Sequence, residues 1–432
     1  MKRVVCAGCS LLCDDILINT GGLFIDQVIG ACLKAKERID QVTDANRILN
    51  PMIRKGEELV KVSWDEALEK TVEILKSSSD PLLYGFSTTT CEAQMRGIEL
   101  AKQLNGFIDS NSSICQGKFL TPISKKGATL STLSEVINKA DILIFWGANP
   151  AESIPRLLNK VIFSRGKFRL TGREVKTLIV IDPIKTSTFN VMGARDLALN
   201  IKIYKDIELI RFLKEKCCTD EAIPSEGIAG IDKNDLKRLL LNITESENTV
   251  IFSGQGLLDS PSNTDLLEEL LELIEEINQK QAKGRTSLIM MSGHYNMVGF
   301  EHVLLSTTGH YGSAQFKEGK IEDTTDNIVT KLQKGEGDCS IIVGSDPISH
   351  LPGSLSSKMM AHPIILLDSK KSSTSYMADV ILPTALTGIE ASGLAYRLDH
   401  VPIELHKIID PPKNILSDEE VLSKIIAKLK SE

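Results

Sequence analysis

Four cysteines near the start of the chain have the spacing expected of metal ligands. Cys6, Cys9, Cys13 and Cys32 form the pattern C-x2-C-x3-C-x18-C. Four cysteine thiolates are the usual ligands of a cubane iron–sulfur cluster. Zinc also takes four cysteines, usually as two C-x2-C pairs, and this stretch contains a single such pair. The spacing therefore predicts a 4Fe-4S cluster, with a zinc site and unreactive core cysteines as the alternatives.

A second set of residues that could do chemistry occurs twice along the chain. In each copy an apolar stretch ends in Gly-x-Asn-Pro or Gly-x-Asp-Pro, and a later apolar stretch ends in an aspartate with a lysine three residues on. The recurring residues are Gly147, Asn149, Asp182, Lys185 and Thr186 in the first copy, and Gly344, Asp346, Asp368 and Lys371 in the second. Matching positions at two places in one chain indicate an internal duplication.

The repeated pattern suits a nucleotide. A buried strand that ends in a glycine turn and opens a helix is a doubly wound α/β unit, whose backbone N–H groups can face a phosphate. The aspartate after the next strand can accept hydrogen bonds from a purine or a ribose, and the lysine can neutralise phosphate. Neither copy contains G-x-G-x-x-G, so a standard NAD site is not expected. Two ordinary βα units with turn prolines are the alternative.

Other polar turns complete the set of candidate residues. Two further apolar stretches, near residues 249–253 and 287–291, also end in glycine-bearing turns, and a polar loop at 111–117 holds a cysteine, Cys115. The turns contain Gly254, Gln255, Gly293, His294 and Asn296, and a rim after the second copy contains Asp379, Glu390 and Gly393. The remaining cysteines, which lack partner spacing and are predicted to be structural, are Cys91, Cys217, Cys218 and Cys339.

The elements that must position these residues are those of an α/β fold. Ser63 with Glu66 has the pattern of a helix capping box. The predicted elements are a hairpin that begins near Cys13, a helix that opens at Cys32, a helix at 91–104, a helix and connector at 199–223, an acidic amphipathic helix at 263–278 and a closing helix from 417.

The chain is too long for one hydrophobic core, so several domains are expected. It has 432 residues, and single cores stop growing at about 250–300 residues. The predicted division is an iron–sulfur cap at 1–60, α/β segments near a metal site at 61–135 and 285–335, a first dinucleotide-binding unit at 136–284, and a second unit with a C-terminal rim at 336–432.

Composition excludes several classes of protein. A formal net charge of −7 argues against a nucleic-acid binder, which would present a basic face. No run of 18 or more apolar residues is present, so no membrane span is expected. The first residues do not resemble a secretory signal peptide. We therefore expect a cytoplasmic protein with reduced thiols.

Short motifs in a fixed order resemble one family. They are Cys-x2-Cys-x3-Cys-Asp-Asp at 6–15, Phe-Trp-Gly-x-Asn-Pro at 145–150, Asp-Pro-x-Lys-Thr at 182–186, Gly-His-Tyr-Asn at 293–296, Gly-Ser-Asp-Pro at 344–347, Ala-Asp-Val-Ile-Leu-Pro at 378–383 and Ala-Tyr-Arg-Leu-Asp at 395–399. Over essentially its whole length the chain resembles the B-subunit family of formylmethanofuran dehydrogenases, which are compact relatives of formate dehydrogenase and dimethyl sulfoxide reductase catalytic subunits. The resemblance implies duplicated, doubly wound, Rossmann-like domains around a bis-pterin site, with a small N-terminal iron–sulfur cap.

The resemblance also implies cofactors and their ligands. In the family, tungsten or molybdenum is held by two molybdopterin guanine dinucleotides and one cysteine, and the 4Fe-4S cluster relays electrons to it. Asp182 and Asp368 would read the two guanines, and Cys115 would be the metal-ligating cysteine. A free surface thiol is the alternative for Cys115. Which of the two metals is bound is left open.

The family reaction is the reversible two-electron reduction of CO2 to formate, in the methane metabolism of archaea. The resemblance implies partner subunits: a zinc amidohydrolase-like subunit that condenses formate with methanofuran, and ferredoxin-like polyferredoxin subunits that supply electrons. The residues assigned to catalysis are Cys115, Gln116, Ser292 and His294.

Two positions depart from the family pattern. Gln116 stands where the metal-ligating cysteine is typically followed by histidine, and Ser292 stands where arginine is typical. An imidazole there would move protons, and a cation would hold formate. Either neighbours such as His294 or Arg397 take over these roles, or the chain is a paralogue with altered or lost formate chemistry. Such a paralogue would serve in electron transfer or as a scaffold, as relatives in the bacterial formyltransferase/hydrolase complex do.

Overall fold

The computed structural model describes residues 1–22, 24–167, 172–217, 219, 222–259, 263–281 and 284–431. Cys218, one of the cysteines predicted to be structural, lies outside these residues. The chain divides into two compact units. The first unit comprises Met1–Ser113, His294–Arg397 and Pro402–Glu432, and the second comprises Ile114–Gly293 and Leu398–Val401. The finer four-part division remains a prediction.

Strands and helices alternate along most of the chain. The strands are β1 (Lys2–Val4), β2 (Ile16–Gly21), β3 (Phe24–Ile29), β4 (Met52–Lys55), β5 (Glu58–Lys61), β6 (Pro81–Gly85), β7 (Phe107–Ser110), β8 (Ile142–Trp146), β9 (Thr177–Asp182), β10 (Leu197–Asn200), β11 (Asn248–Ser253), β12 (Arg285–Met290), β13 (Ala314–Lys317), β14 (Lys320–Glu322), β15 (Cys339–Val343), β16 (Ile364–Asp368), β17 (Val380–Pro383), β18 (Gly393–Tyr396) and β19 (Pro402–Leu405). The α-helices are α1 (Leu33–Asp40), α2 (Trp64–Ser77), α3 (Cys91–Leu104), α4 (Leu120–Lys126), α5 (Leu133–Lys139), α6 (Pro150–Ser153), α7 (Asp206–Lys216), α8 (Lys233–Glu245), α9 (Gln255–Leu258), α10 (Asn263–Lys280), α11 (Met297–Thr308), α12 (Ile328–Lys334), α13 (Pro347–His350), α14 (Gly353–Met359), α15 (Ser373–Met377) and α16 (Asp418–Ser431). Short 3-10 turns lie at Asn111–Ile114, Gln116–Phe119, Arg173–Val175 and Ser187–Val191, and a π turn lies at Asn159–Phe163.

The second unit is built on a parallel sheet whose described strands have the order β10-β9-β8-β11-β12. Counted along the chain this is the 3-2-1-4-5 order of a doubly wound fold. Strands β8 and β11 are buried along their whole length, as expected for strands covered by helices on both faces. The core joins Trp146 and Ile181 of the sheet to Leu209 of α7, Leu236 of α8 and Leu270 of α10.

The first unit contains a mixed sheet of nine described strands in the order β14-β13-β7-β6-β15-β16-β17-β4-β5. Its central strands, β7, β6, β15, β16 and β17, are parallel, and antiparallel strands cover both edges. Along the chain the parallel strands have the 2-1-3-4-5 order of the other common doubly wound arrangement. One core cluster of this unit joins Phe86 and Ile341 to Phe300 of α11 and Leu422 of α16.

A small antiparallel sheet, β1-β2-β3, precedes α1 at the start of the first unit. The hairpin predicted from this stretch is confirmed by the β2–β3 pairing. Cys32 is the N-cap residue of α1, as predicted from the sequence. Among the described helices none is long and apolar enough to cross a membrane.

Local sequence signals located most helices correctly, and two stretches have more structure than was predicted. The capping box of Ser63 and Glu66 is present, and the helix predicted at 91–104 is α3. The helix predicted within 199–223 is α7, but the stretch begins in a strand, β10 at residues 197–200, because Leu197 and Leu199 alternate into the core while their neighbours face outward. The polar loop predicted at 111–117 is made of two short 3-10 turns on either side of Cys115.

Glycines allow two turns of the second unit to touch at the carboxyl ends of β8 and β11. A Cβ atom on Gly254 would lie 2.2 Å from the carbonyl oxygen of Gly147, and one on Gly147 would lie 2.3 Å from the backbone nitrogen of Leu257. Gly147 also has a φ of +56°, which L-residues rarely adopt. The Gly147 carbonyl also accepts a hydrogen bond from Gly256 N at 2.9 Å. Gly147, Gly254 and Gly256 thus allow the two turns to pack together at the point where the strand order reverses.

We expect Gly254→Ala to destabilise the second unit. The new methyl group would clash with backbone atoms, and no rotamer change could relieve that clash. Overpacking of this kind costs about 1–3 kcal/mol. Gly353→Ala is the matched control, because a Cβ at Gly353 meets nothing within 4 Å. Thermal unfolding of both variants should show a lowered midpoint for Gly254→Ala alone; equal midpoints would contradict the assigned backbone contact.

Candidate active site

The four N-terminal cysteines lie close together in the first unit. The stretch that holds three of them folds back on itself, since Cys6 N donates to Cys13 O at 2.9 Å and Leu12 N donates to Cys9 O at 3.1 Å. Cys32 joins them from the N-cap of α1. The pKa of Cys6 is raised to about 12, first by burial and then by the charges of the other three cysteines.

The thiols that the spacing singled out lie near enough for their charges to interact, but they do not form a converged ligand set. Within the described residues, no three His, Cys, Asp or Glu side chains converge as they would on a single metal ion. Cys9 and Cys13 are buried, whereas Cys6 and Cys32 are half-buried. Because metal ligands must be thiolates, a group bound at this cluster would displace protons that the raised pKa of Cys6 otherwise retains.

At the switch point of the second unit, the turn after β8 is tied to the turn after β9. Asn149 Oδ1 accepts a hydrogen bond from Thr188 Oγ1 at 2.8 Å. Asp182, at the end of β9, accepts from Ile184 N at 3.0 Å. Burial raises the pKa of Asp182, and the nearby charge of Asp206 raises it further. Lys185 is exposed, so its ammonium can turn toward a phosphate.

The first unit repeats this arrangement residue by residue. Gly344 has the same φ of +56° as Gly147, and Asp346 Oδ1 accepts from Thr374 Oγ1 at 2.6 Å as Asn149 accepts from Thr188. Burial tends to raise the pKa of Asp346, but hydrogen bonds from Ser349 and Thr374 lower it overall. Asn149 and Asp346 were both predicted to bind a cofactor. Their side-chain oxygens instead accept hydrogen bonds that hold the turns in place.

Asp368 is the counterpart of Asp182 and is half-buried. Its Oδ1 accepts hydrogen bonds from Ser369 N at 2.6 Å and Lys370 N at 3.2 Å. Burial raises its pKa to about 6. Lys371 follows on an exposed turn, and its backbone N–H donates to Asn46 O at 2.9 Å. Both predicted purine-reading carboxylates thus lie at the carboxyl ends of parallel strands.

Cys115 lies in the second unit, as do four other predicted site residues: Gln116, Gln255, Ser292 and Gly293. Burial raises the pKa of its thiol, while the backbone N–H of Gln116, the charge of Lys118 and the backbone N–H of Gly293 act in the opposite direction. Ser292 is only 2% exposed. Gln255 Nε2 donates to Ile114 O at 3.2 Å, which ties the turn after β11 to the residue before Cys115.

The donors around Cys115 fit a bound group. Gln116 is 2% exposed, and its Nε2 lacks a hydrogen-bond partner among the described residues. A buried amide donor without a partner costs about 1–3 kcal/mol, which a ligand oxygen would recover. Thr186 Oγ1, beside Lys185, is likewise buried without a described partner. A Cβ on Gly293 would meet nothing within 4 Å, so space remains beside Cys115.

His294 and Asn296 belong to the first unit. The pKa of His294 is lowered to about 4, mainly by burial and then by the charges of His350 and Lys34. His294 is therefore neutral at pH 7 and does not supply the charge that Ser292 lacks. Asn296 uses its side chain within the protein, because its Nδ2 donates to Thr89 O at 2.8 Å and its Oδ1 accepts from Tyr396 N at 2.8 Å.

Three predicted cofactor residues have other partners. Asp379 lies at the amino ends of β16 and β17, where it accepts from Ile364 N at 2.9 Å, so the structure does not bring it to the carboxyl edge. Glu390 is 2% exposed and pairs with Arg47. Gly393 allows close approach to Thr90 at the start of α3, where a Cβ would lie 2.4 Å from Thr90 Cγ2.

Sequence reasoning missed Arg47, Asn111 and Lys118. Arg47 is buried, and its Nε and Nη1 lack described partners, as does Asn111 Oδ1. Asn111 Nδ2 donates to Ser345 Oγ at 3.0 Å, so it lies between the ends of β7 and β15. Each of these residues stands in a polar stretch beside a predicted strand, and spacing alone does not distinguish it from a solvated residue.

Comparison with known proteins identifies the family of this chain. Residues 47–428 match the molybdopterin oxidoreductase family. The chain is 33% identical to the B-subunit of tungsten-containing formylmethanofuran dehydrogenase 2 of Methanocaldococcus jannaschii, with 100% of this chain and 98% of that protein covered. Identity to the protein of the same name from Methanococcus maripaludis is 32%, over 99% of this chain and 98% of that one.

A solved structure shares the fold. A chain of the formyltransferase/hydrolase complex from Methylorubrum extorquens, determined with methylofuran, aligns with a TM-score of 0.69. The alignment covers 88% of this chain and 99% of that one at 17% identity. A likeness at this identity supports the fold only. The family match and the full-length relatives give the assignment: this chain belongs to the molybdopterin oxidoreductase family, among the B-subunits of formylmethanofuran dehydrogenases.

Proposed function

We propose that this chain is the catalytic subunit of a formylmethanofuran dehydrogenase that interconverts CO2 and formate. The observation that carries the proposal is the half-buried Cys115, whose thiol pKa is raised by burial and lowered by the backbone N–H groups of Gln116 and Gly293. A thiolate held by two backbone donors suits a soft metal, as molybdenum and tungsten are. The full-length relatives, which are named as B-subunits of tungsten-containing enzymes, support the same assignment.

When bound, the metal–pterin group would supply the two-electron redox chemistry. Cys115 would ligate the metal, and the unpartnered amide of Gln116 would donate to a substrate oxygen. Asp182 and Asp368, each at the end of a parallel strand, would accept hydrogen bonds from the guanines of two pterin dinucleotides, and Lys185 and Lys371 would neutralise phosphate. The matching turns of the two units support a duplicated site.

The four N-terminal cysteines would hold a 4Fe-4S cluster through which electrons enter. In this proposal ferredoxin-like subunits deliver the electrons, and a zinc amidohydrolase-like subunit takes the formate. The relatives are named as one subunit of a larger enzyme, and the similar solved chain comes from a complex; both facts support a multisubunit assembly.

A second candidate function is a paralogue with altered or lost formate chemistry, which would act in electron transfer or as a scaffold. Gln116 cannot titrate, Ser292 carries no charge, and His294 is neutral at pH 7 because burial lowers its pKa to about 4. The residues identified around the site therefore do not restore the imidazole and the cation typical of the family.

Replacing Cys115 tests the metal assignment. In Cys115→Ser we expect tungsten or molybdenum content and viologen-coupled formate oxidation to fall to background, because serine is a hard ligand with a much higher pKa. Iron content should be unchanged, since the N-terminal cysteines are intact. Cys339→Ala, in the core of β15, is the control and should keep both metals. Wild-type protein without tungsten, molybdenum and pterin would refute the enzyme proposal.

Restoring the family residues tests the second candidate. We expect the double variant Gln116→His, Ser292→Arg to raise kcat/KM for formate oxidation at least tenfold, since a general acid–base group contributes about 10²–10⁴-fold. Gln315→His, a similar change on β13, should have no effect. No gain in the double variant would mean that these two positions do not limit formate turnover.

Guanine recognition by Asp368 should depend on pH. Burial raises the pKa of its carboxyl to about 6, so the group is ionised above that pH and protonated below it. Protonation removes an acceptor, so the affinity of the cofactor-free chain for GMP should fall about tenfold per pH unit below 6. Titration calorimetry between about pH 5 and pH 8 measures this. Asp368→Asn should bind GMP weakly at every pH; a variant that keeps the wild-type pH profile would exclude Asp368 as the reader.

A further inference from the structure

A buried arginine of the first unit has hydrogen-bond donors that the protein itself does not use. Arg47 is 8% exposed, and its Nε and Nη1 atoms lack a hydrogen-bond partner among the described residues. Its third nitrogen, Nη2, donates to Thr384 O at 3.3 Å and pairs with the Glu390 carboxylate. A buried donor without a partner is costly, and more so when it is charged. The unused N–H groups of Arg47 therefore indicate a ligand that accepts hydrogen bonds.

Backbone pairing holds Arg47 beside the turn that carries Asp368. Residues 46–48 run antiparallel to residues 369–371, with backbone hydrogen bonds of 2.9 Å at both ends of the pairing. The Arg47 side chain reaches Thr384, whose own N–H donates to Asp368 O at 3.2 Å. The guanidinium group of Arg47 and the carboxyl group of Asp368 thus lie at the carboxyl ends of the neighbouring strands β16 and β17, where their charges interact.

The charges around this pair do not suit a phosphate as the ligand. Arg38 acts on both Arg47 and Asp368, while Glu390 acts on Arg47 and Asp418 acts on Asp368. Among the described residues these make two guanidinium groups against three carboxyl groups, so no excess of positive charge attracts a dianion. A neutral ring that has acceptors next to donors suits an arginine beside an aspartate better.

Guanine is a ring of this kind. Its O6 and N7 atoms accept hydrogen bonds and its N2 amino group donates, whereas adenine has a donor, the N6 amino group, in place of O6. Two N–H groups donated to O6 and N7 by one basic side chain are the commonest specific contact of proteins with guanine in DNA. A half-buried carboxylate such as Asp368 can accept from N1 and N2 on the adjoining edge of the same base.

We propose that Arg47 makes the nucleotide site of the first unit specific for guanine. The inference rests on the proposed function, in which Asp368 accepts hydrogen bonds from a guanine. Arg47 donates two N–H groups to O6 and N7, Asp368 accepts from N1 and N2, and Glu390 holds the guanidinium group in place. Adenine would turn its N6 amino group toward the Arg47 donors and its unprotonated N1 toward the carboxylate, so both contacts would be lost.

The nucleotide preference of the cofactor-free full chain tests this role. Every protein carries Asp182→Asn, so that binding at the first unit is measured alone, and titration calorimetry at about pH 8 keeps Asp368 ionised. This reference protein should bind GMP about tenfold or more tightly than AMP, and more tightly than IMP, which lacks the N2 amino group.

The added double variant Arg47→Met, Glu390→Gln removes both members of the ion pair, so that no unpaired charge stays buried. It should lower the affinities for GMP and IMP alike, about tenfold or more, and leave the affinity for AMP unchanged. A purely structural role for Arg47 would instead weaken all three nucleotides equally. That result, or a GMP-to-AMP ratio equal to that of the reference protein, would overturn the proposal.

Arg54→Met is the matched control, because Nε, Nη1 and Nη2 of Arg54 each already donate to a backbone carbonyl. It should keep the preferences of the reference protein. If the double variant does not fold, Arg47→Lys takes its place. Lysine keeps a charge opposite Glu390 but cannot present two N–H groups in a fixed fork, so the preference for GMP over AMP should fall. An unchanged preference in Arg47→Lys would overturn the proposal.

The same titrations separate this inference from the proposed function. If the reference protein binds GMP no better than the same protein with Asp368→Asn, the guanine site of the proposed function fails, and the role of Arg47 fails with it. If the reference protein prefers GMP and the Arg47 variants keep that preference, the role of Arg47 fails alone and the proposed function stands.

Discussion

In both units, one hydrogen bond between side chains holds the turn after one strand to the turn after the next. Thr188 donates to Asn149 in the second unit, and Thr374 donates to Asp346 in the first. With these turns fixed, the aspartates at the strand ends, Asp182 and Asp368, remain available to a ligand. Since each aspartate also accepts backbone N–H groups, its carboxylate is oriented before any ligand arrives.

Burial sets the electrostatic character of the site. It raises the pKa of Cys115, Asp368 and Glu301 and lowers that of His294. A buried thiol or carboxyl group loses its proton most readily when a donor or a cation faces it. The backbone N–H groups at Cys115 provide this for its thiolate, whereas His294 remains neutral.

The Gln116 and Ser292 replacements concern the substrate side of the proposed site and leave the cofactor side intact. Both residues are buried, so their replacement alters interactions inside the protein rather than at its surface. Gln116 keeps a hydrogen-bond donor, and what it loses is the ability to carry a proton.

Residues close in sequence determined much of this protein by themselves. The four cysteines, the capping box at Ser63, the helix at 91–104 and the repeated Gly-x-Asn/Asp-Pro and Asp-x-x-Lys patterns could be read from spacing, because caps, turns and strand ends are decided by neighbouring residues. Cys115 and Gln116 were found by their place among the motifs of a family rather than by their own chemistry.

Tertiary structure decided which of these residues keep polar atoms available for a ligand. Asp379 lies at the amino ends of its strands, and Asn149, Asp346 and Asn296 turn their polar atoms onto the protein; strand direction and loop contacts decide this, and spacing does not report them. Glu301 and Ser112 are 189 residues apart and meet only because α11 packs beside the end of β7. The sequence determined the chemical groups that are present, and the packing of strands and helices determined which of them are buried together and therefore shift in pKa.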